Sequence, residues 1–187
     1  MTRITKDWLS VYFDHGIDYQ NRRLFLIDEL EDYSSRTLTQ GLKLLEKASS
    51  EPIEIYVGTP GGSAYEMFGL YDVIRDSACH VKTIAVGHVM SAGPLILTAG
   101  DERLAYRNAW FMIHETWWTS FMEKLSDQKA AVKHVDQMQV RWAELMEIRT
   151  RTPAKRWIKM TKGPDYYFDA PEALELGVVS GLINERS

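Results

Sequence analysis

Along this chain the hydrophobic positions switch repeatedly between short continuous runs, the signal of buried strands, and three- and four-residue steps, the signal of helices. Leu24-Phe25-Leu26-Ile27 reads as a first strand. A helix follows with Leu38, Leu42, Leu45 and Ala48 on one stripe, and Ser34, Ser35 and Thr37 are the residues able to cap its start. Ile53-Glu54-Ile55-Tyr56-Val57 is a second strand ending in Gly58-Thr59-Pro60-Gly61-Gly62, and Ser63 opens a helix with Phe68, Tyr71 and Ile74 along one side. Val81 to Val86 is a third strand. A short apolar helix runs from about Ser91 to Ala99 and stops at Gly100. Two further short strands, Arg103–Tyr106 and Trp110–His114, precede a long periodic segment from Leu125 to Arg149. There Leu125, Val132, Val135, Met138, Trp142, Leu145 and Met146 predict one helix about 36 Å long. An element of that length is expected to project in part towards another subunit. A helix over Pro171–Leu176, stopped by Gly177, and a strand over Val178–Ile183 close the chain.

Alternating strands and helices imply an α/β fold with right-handed crossovers and a mainly parallel sheet. No repeat or linker divides the 187 residues, so the expectation is one domain over 1–187. With 26 acidic and 22 basic side chains, the formal net charge is -4. That balance argues against general nucleic-acid binding, which rests on neutralising phosphates. No apolar run approaches the ~20 residues that span a bilayer. The opening residues hold no apolar block of a signal peptide, and the one cysteine, Cys79, fits a reducing compartment. A cytoplasmic protein is expected.

Two loops are built for chemistry. In Gly87-His88-Val89-Met90-Ser91-Ala92-Gly93-Pro94, Ser91 falls where a strand gives way to a helix, beside unpaired backbone N–H groups. It reads either as a helix cap or as a nucleophile. Gly61-Gly62 reads either as a tight turn or as backbone brought close to a ligand. His114, at a strand end, is either a structural histidine or a general base. Neither G-x-x-x-x-G-K-[ST] nor G-x-G-x-x-G occurs, so this chain is not expected to hydrolyse ATP. Trp118 stands where H-E-x-x-H needs a second histidine, and His15, His80, His88 and His134 lack ligand spacing. No metal or other cofactor is expected. The basic run from Arg149 to Lys162, followed by Tyr166, Tyr167 and Phe168, could grip a nucleic-acid strand or form a solvated or subunit-facing patch.

Together these segments resemble the proteolytic subunit of the ATP-dependent Clp protease (ClpP), over roughly Arg23 to Ile183. Tyr56 to Gly62 is similar to that family's strand ending in S-P-G-G. Val86 to Gly100 resembles its nucleophile segment, with the serine on Ser91. Phe111-Met112-Ile113-His114 resembles its M-I-H segment and sets the catalytic histidine on His114. Asp165 to Ala173, with Leu176-Gly177 beyond, resembles its D-x-x-x-x-A-x-E-A pattern, whose first aspartate, the triad acid, falls on Asp165. Asp169 is the rival for that role. The resemblance sets the oxyanion hole on the backbone N–H groups of Gly62 and Ala92.

The resemblance also implies a ClpP/crotonase-like α/β fold of repeated ββα units with a projecting handle helix in a region from about 115 to 150. It implies homo-oligomeric heptameric rings stacked into a barrel, whose inner chamber is fed unfolded proteins or peptides by an AAA+ unfoldase that alone uses ATP. The function it implies is a serine endopeptidase. The chain departs from the family at Glu115-Thr116-Trp117-Trp118, where Gln-Pro is common, in the basic run from Arg149 to Lys162, and across residues 1–22. Three alternatives accompany this reading. They are a catalytically idle subunit of a Clp-like ring, a phage capsid-maturation protease on the same fold, and an acyl-CoA enzyme of the crotonase superfamily.

Overall fold

The computed structural model describes residues 12, 14–116 and 124–183. In chain order the elements are β1 Ile17–Asp18, β2 Arg23–Leu26, α1 Asp32–Ala48, β3 Ile53–Val57, α2 Ala64–Arg75, β4 Val81–Ala85, β5 His88–Met90 and α3 Gly93–Thr98. They continue as β6 Glu102–Tyr106, β7 Trp110–Ile113, α4 Leu125–Arg149, α5 Ala154–Thr161, β8 Tyr166–Asp169, α6 Ala170–Leu176 and β9 Gly181–Ile183.

Two sheets form. The larger has strand order β1-β2-β3-β4-β6-β9. Only its β1–β2 edge is antiparallel; the other pairs are parallel. Alternation decides its two faces. Leu24, Leu26, Ile53, Ile55, Val57, Val81 and Ala85 are buried on one, against α1, α2 and α3. Arg23, Glu54, Lys82 and Glu102 stand on the other and pair across the strands through Arg23–Glu54, Glu54–Lys82 and Lys82–Glu102 contacts. The smaller sheet, β5-β7-β8, joins β5 to β7 in parallel and β7 to β8 antiparallel. Phe111 and Phe168 stack across the latter pair, with centroids 5.1 Å apart.

Several expectations change. The α1 cap is Glu31, and Ser34 serves it from inside the first turn by accepting the Glu31 N–H at 3.0 Å. Ala48 ends the helix exposed. The last strand is confined to Gly181–Ile183, because Gly177 in a left-handed conformation and the Ser180–Arg103 bonds occupy the residues before it. The basic run contains helix α5, which buries Trp157 against Trp142 while Lys155, Arg156 and Lys159 stay solvated. The stripe on α4 divides. Trp142, Leu145 and Met146 are buried, whereas Leu125 is 66% and Val132 59% exposed. Part of the segment between His114 and α4, residues 117–123, lies outside the described residues, as do 1–11 of the N-terminal segment.

Candidate active site

The small sheet gathers the candidate residues at one end. Ser91 follows β5, His114 follows β7, and Asp165 precedes β8. Ser91 is not the cap of α3; that position belongs to Ala92. It has φ +56, a left-handed conformation that costs a non-glycine residue about 1–2 kcal/mol. Neighbours hold it there. The Ser91 N–H donates to the Met112 carbonyl at 2.8 Å, and the Met90 N–H donates to the Thr59 carbonyl at 2.9 Å. Gly61 packs so closely that a Cβ on it would lie 2.5 Å from the Ser91 Cβ. A side chain at position 61 is therefore excluded, which is why the turn needs glycine there.

The strained turn directs the Ser91 Oγ to His114 Nε2, at 2.8 Å. His114 Nδ1 lies 2.7 Å from the Glu115 carbonyl oxygen. A carbonyl only accepts, so Nδ1 carries a proton, and in the tautomer with no second proton Nε2 accepts from the serine hydroxyl. That is the tautomer a general base requires.

Asp165 is exposed. The β7–β8 ladder pairs Ile113 with Tyr166, and one further step of that register sets Asp165 opposite His114. No hydrogen bond joins the two among the described residues; the Glu115 carbonyl has the Nδ1 position. Asp169 is at the far end of β8, opposite Trp110, and its carboxylate accepts the Glu172 N–H at 2.9 Å as the cap of α6. Beside Asp165, Tyr166 donates to Glu172, and that bond together with burial raises its phenol above the ordinary range.

The other two candidates face the same cleft. Ala92 caps α3, at the end where backbone donors lack helical partners, and Gly62 has φ +145 on a bridge to Leu30. Among the described residues neither the Gly62 nor the Ala92 N–H donates to another backbone group. The cleft, about 620 Å³, includes both together with Ser91 and His114, and its far wall is α4. Val135, Met138 and Trp142, read from the sequence as packing positions, line it. Gln139 was not singled out. It accepts from the Thr116 N–H and hydroxyl at 2.9 and 2.8 Å, fastening α4 to the segment after His114. Its one sequence signal is a polar residue at helical spacing inside an apolar stripe. No group of three metal-ligating side chains occurs among the described residues, and no helix among them is long and apolar enough to cross a membrane.

Comparison with known proteins gives a consistent answer. Residues 12–186 match the family model described as Clp protease. The ATP-dependent Clp protease proteolytic subunit 2 of Treponema pallidum is 30% identical over 181 residues, covering 95% of this chain and 89% of its own. The ATP-dependent Clp protease proteolytic subunit of Porphyromonas gingivalis is 27% identical over 169 residues, covering 89% and 75%. A mutant ClpP1 from Listeria monocytogenes superposes with a TM-score of 0.81 at 25% identity, over 90% of this chain and 94% of that one. The α/β architecture is that of ClpP.

Proposed function

This chain belongs to the Clp protease family of peptidases, and on that premise we propose that it is a serine endopeptidase acting through Ser91, His114 and Asp165. The observation that carries this reading is the Ser91 Oγ to His114 Nε2 contact of 2.8 Å, built on a strained left-handed turn. His114 takes the hydroxyl proton as Oγ attacks the scissile carbonyl. The Gly62 and Ala92 N–H groups stabilise the oxyanion. The imidazolium returns the proton to the leaving amine, and water, deprotonated by the same ring, releases the acyl group. Asp165 takes the place of the Glu115 carbonyl at Nδ1 in the working enzyme, orienting the ring and stabilising its charge.

The assembly belongs to the same reading: a homo-oligomeric heptameric ring, paired rings meeting through α4, and an AAA+ unfoldase that supplies unfolded protein and uses the ATP. The exposed Leu125 and Val132 on α4 support a contact there. One observation favours a catalytically idle subunit, namely that Nδ1 rests on a backbone carbonyl and not on Asp165.

Treatment of the assembled protein with a fluorophosphonate, read by intact mass and peptide mapping, separates the two. One adduct per chain on Ser91, absent in Ser91→Ala, is expected. Peptide turnover in Ser91→Ala is expected to fall roughly 10⁴–10⁶-fold. A folded, assembled protein that takes no adduct is the idle subunit.

A further inference from the structure

Helix α3 carries the nucleophile turn at its start and is only six residues long, Gly93–Thr98. Helices this short have little stability of their own, and their last carbonyls lack partners within the helix. Here the last of them, the Thr98 carbonyl, and the two that follow the helix, of Ala99 and Gly100, are taken by guanidinium groups from two other helices. Arg149, the last residue of α4, donates from Nε to the Thr98 carbonyl at 2.9 Å and from Nη2 to the Gly100 carbonyl at 2.8 Å. Arg75, the last residue of α2, reaches the Ala99 carbonyl between them at 2.9 Å. A cation at a helix C-terminus also meets the negative end of the helix dipole. The location is unfavourable for a free charge, since burial and the nearby Arg75 both work against the charged form of Arg149. The two carbonyls hold it there, and the nearby Asp101 charge favours it.

The same end of α4 packs directly on α3. Met146, wholly buried, lies 4.0 Å through its sulfur from the Thr98 hydroxyl. One turn further back, Trp142 lines the cleft. The rear of the nucleophile helix is therefore fastened to the helix that forms the cleft wall, and a fork with two parallel N–H donors fixes both distance and angle.

We infer that Arg149 is a positioning residue for the reaction: by holding the C-terminus of α3 against α4, it keeps Ser91 within bonding distance of His114. This rests on the serine-peptidase reading above. The molecule supplies its own control in Arg22, which grips the C-terminus of α1 through the Leu45 and Ser49 carbonyls at 2.9 and 3.2 Å, on a helix that carries no candidate catalytic residue.

The test compares Arg149→Met, Arg149→Lys and Arg22→Met with the parent protein, each as the assembled full chain. The readouts are the rate of fluorophosphonate labelling at Ser91 and kcat and KM on a short peptide. Arg149→Met is expected to label and turn over about 10–100-fold more slowly with KM within twofold, the penalty of a misplaced reacting group. Arg149→Lys, with a point charge in place of a fork, falls between. Arg22→Met loses stability and keeps its labelling rate. Labelling of Arg149→Met at the parent rate overturns the inference. If that variant does not fold, a parent-like rate in Arg149→Lys overturns it equally. A parent protein that is itself unlabelled refutes the serine reading instead.

Discussion

The two sheets of this molecule divide its work. The six-stranded sheet is built from strands whose inward residues, Leu24, Ile55, Val57 and Val81 among them, are wholly buried under three helices. The three-stranded sheet has strands of three and four residues, and Ser91, His114 and Asp165 all sit at its one open end. The first is redundant, since many contacts share its load. The second is not, because the Ser91 Oγ to His114 Nε2 contact of 2.8 Å depends on one turn and one strand end. Perturbing the large sheet should therefore move stability, and perturbing the small one should move rate.

The largest test lies at β8, which has Asp165 just before its first residue and Asp169 as its last. Asp165→Asn is expected to lower peptide turnover roughly 10⁴-fold, the loss found when a triad acid can no longer fix the histidine tautomer. Its melting temperature should hardly change, because the side chain is exposed. Asp169→Asn should do the reverse. Asparagine keeps the capping oxygen but removes the negative charge at the start of α6, which costs about 0.3–1 kcal/mol and leaves turnover within a few-fold. Equal loss of activity in both variants would dissolve the division between the ends of the strand.

The counterpart in the large sheet is Ile55→Ala. Ile55 is wholly buried at the centre of β3, so truncation removes transfer energy and leaves a cavity, together about 2–5 kcal/mol by chemical denaturation. Protein still folded at low denaturant should label at Ser91 at the parent rate. A proportionate drop in labelling would mean that strain in β3 reaches the small sheet through the Thr59–Gly62 loop that follows it.

The same division governs what the sequence reveals. The strands over Ile53–Val57 and Val81–Ala85 were legible because each buries a short apolar run against many partners, and α4 because its apolar residues keep helical spacing although only Trp142, Leu145 and Met146 of that stripe are buried. Strand β5 was not. Three residues, His88–Met90, are too few for a period, and only pairing with β7 makes them a strand. Strand β8 was masked by its setting, a Tyr-Tyr-Phe run behind a basic stretch that reads as surface. Local spacing left Ser91 open between cap and nucleophile, and only the ordered motifs of the family resemblance assigned Ser91 and His114 their roles. The positive φ at 91 decides against the cap, and it is a consequence of Thr59, Gly61 and Met112 closing around the turn. Arg149 was equally invisible, since a basic residue ending a helix is ordinary until its partners are known.

The smallest effect concerns acid, and it belongs to the large sheet alone. Asp101, at the turn into β6, accepts the Val81 N–H at 3.0 Å and the Arg75 guanidinium at 2.8 Å. Burial alone would raise its pKa; the Val81 N–H and the Arg75 charge outweigh it and hold the carboxyl below the ordinary range. A carboxyl with a depressed folded-state pKa contributes stability above its unfolded value, about 3.9, and loses it as pH falls through the folded value. Asp101→Asn should therefore be less stable than the parent at pH 7, by about 0.2–1 kcal/mol for a pair this open to water. The gap should close as the pH falls below about 4. Some acid sensitivity will remain in the variant, because Glu46, bonded to Ser77, Lys43 and the Ala78 N–H, is depressed in the same way. Urea midpoints at pH 7, 4 and 3 measure it. A gap that stays constant to pH 3 would show that Asp101 acts through its shape and hydrogen bond to Val81, with its charge contributing nothing to the edge of the sheet.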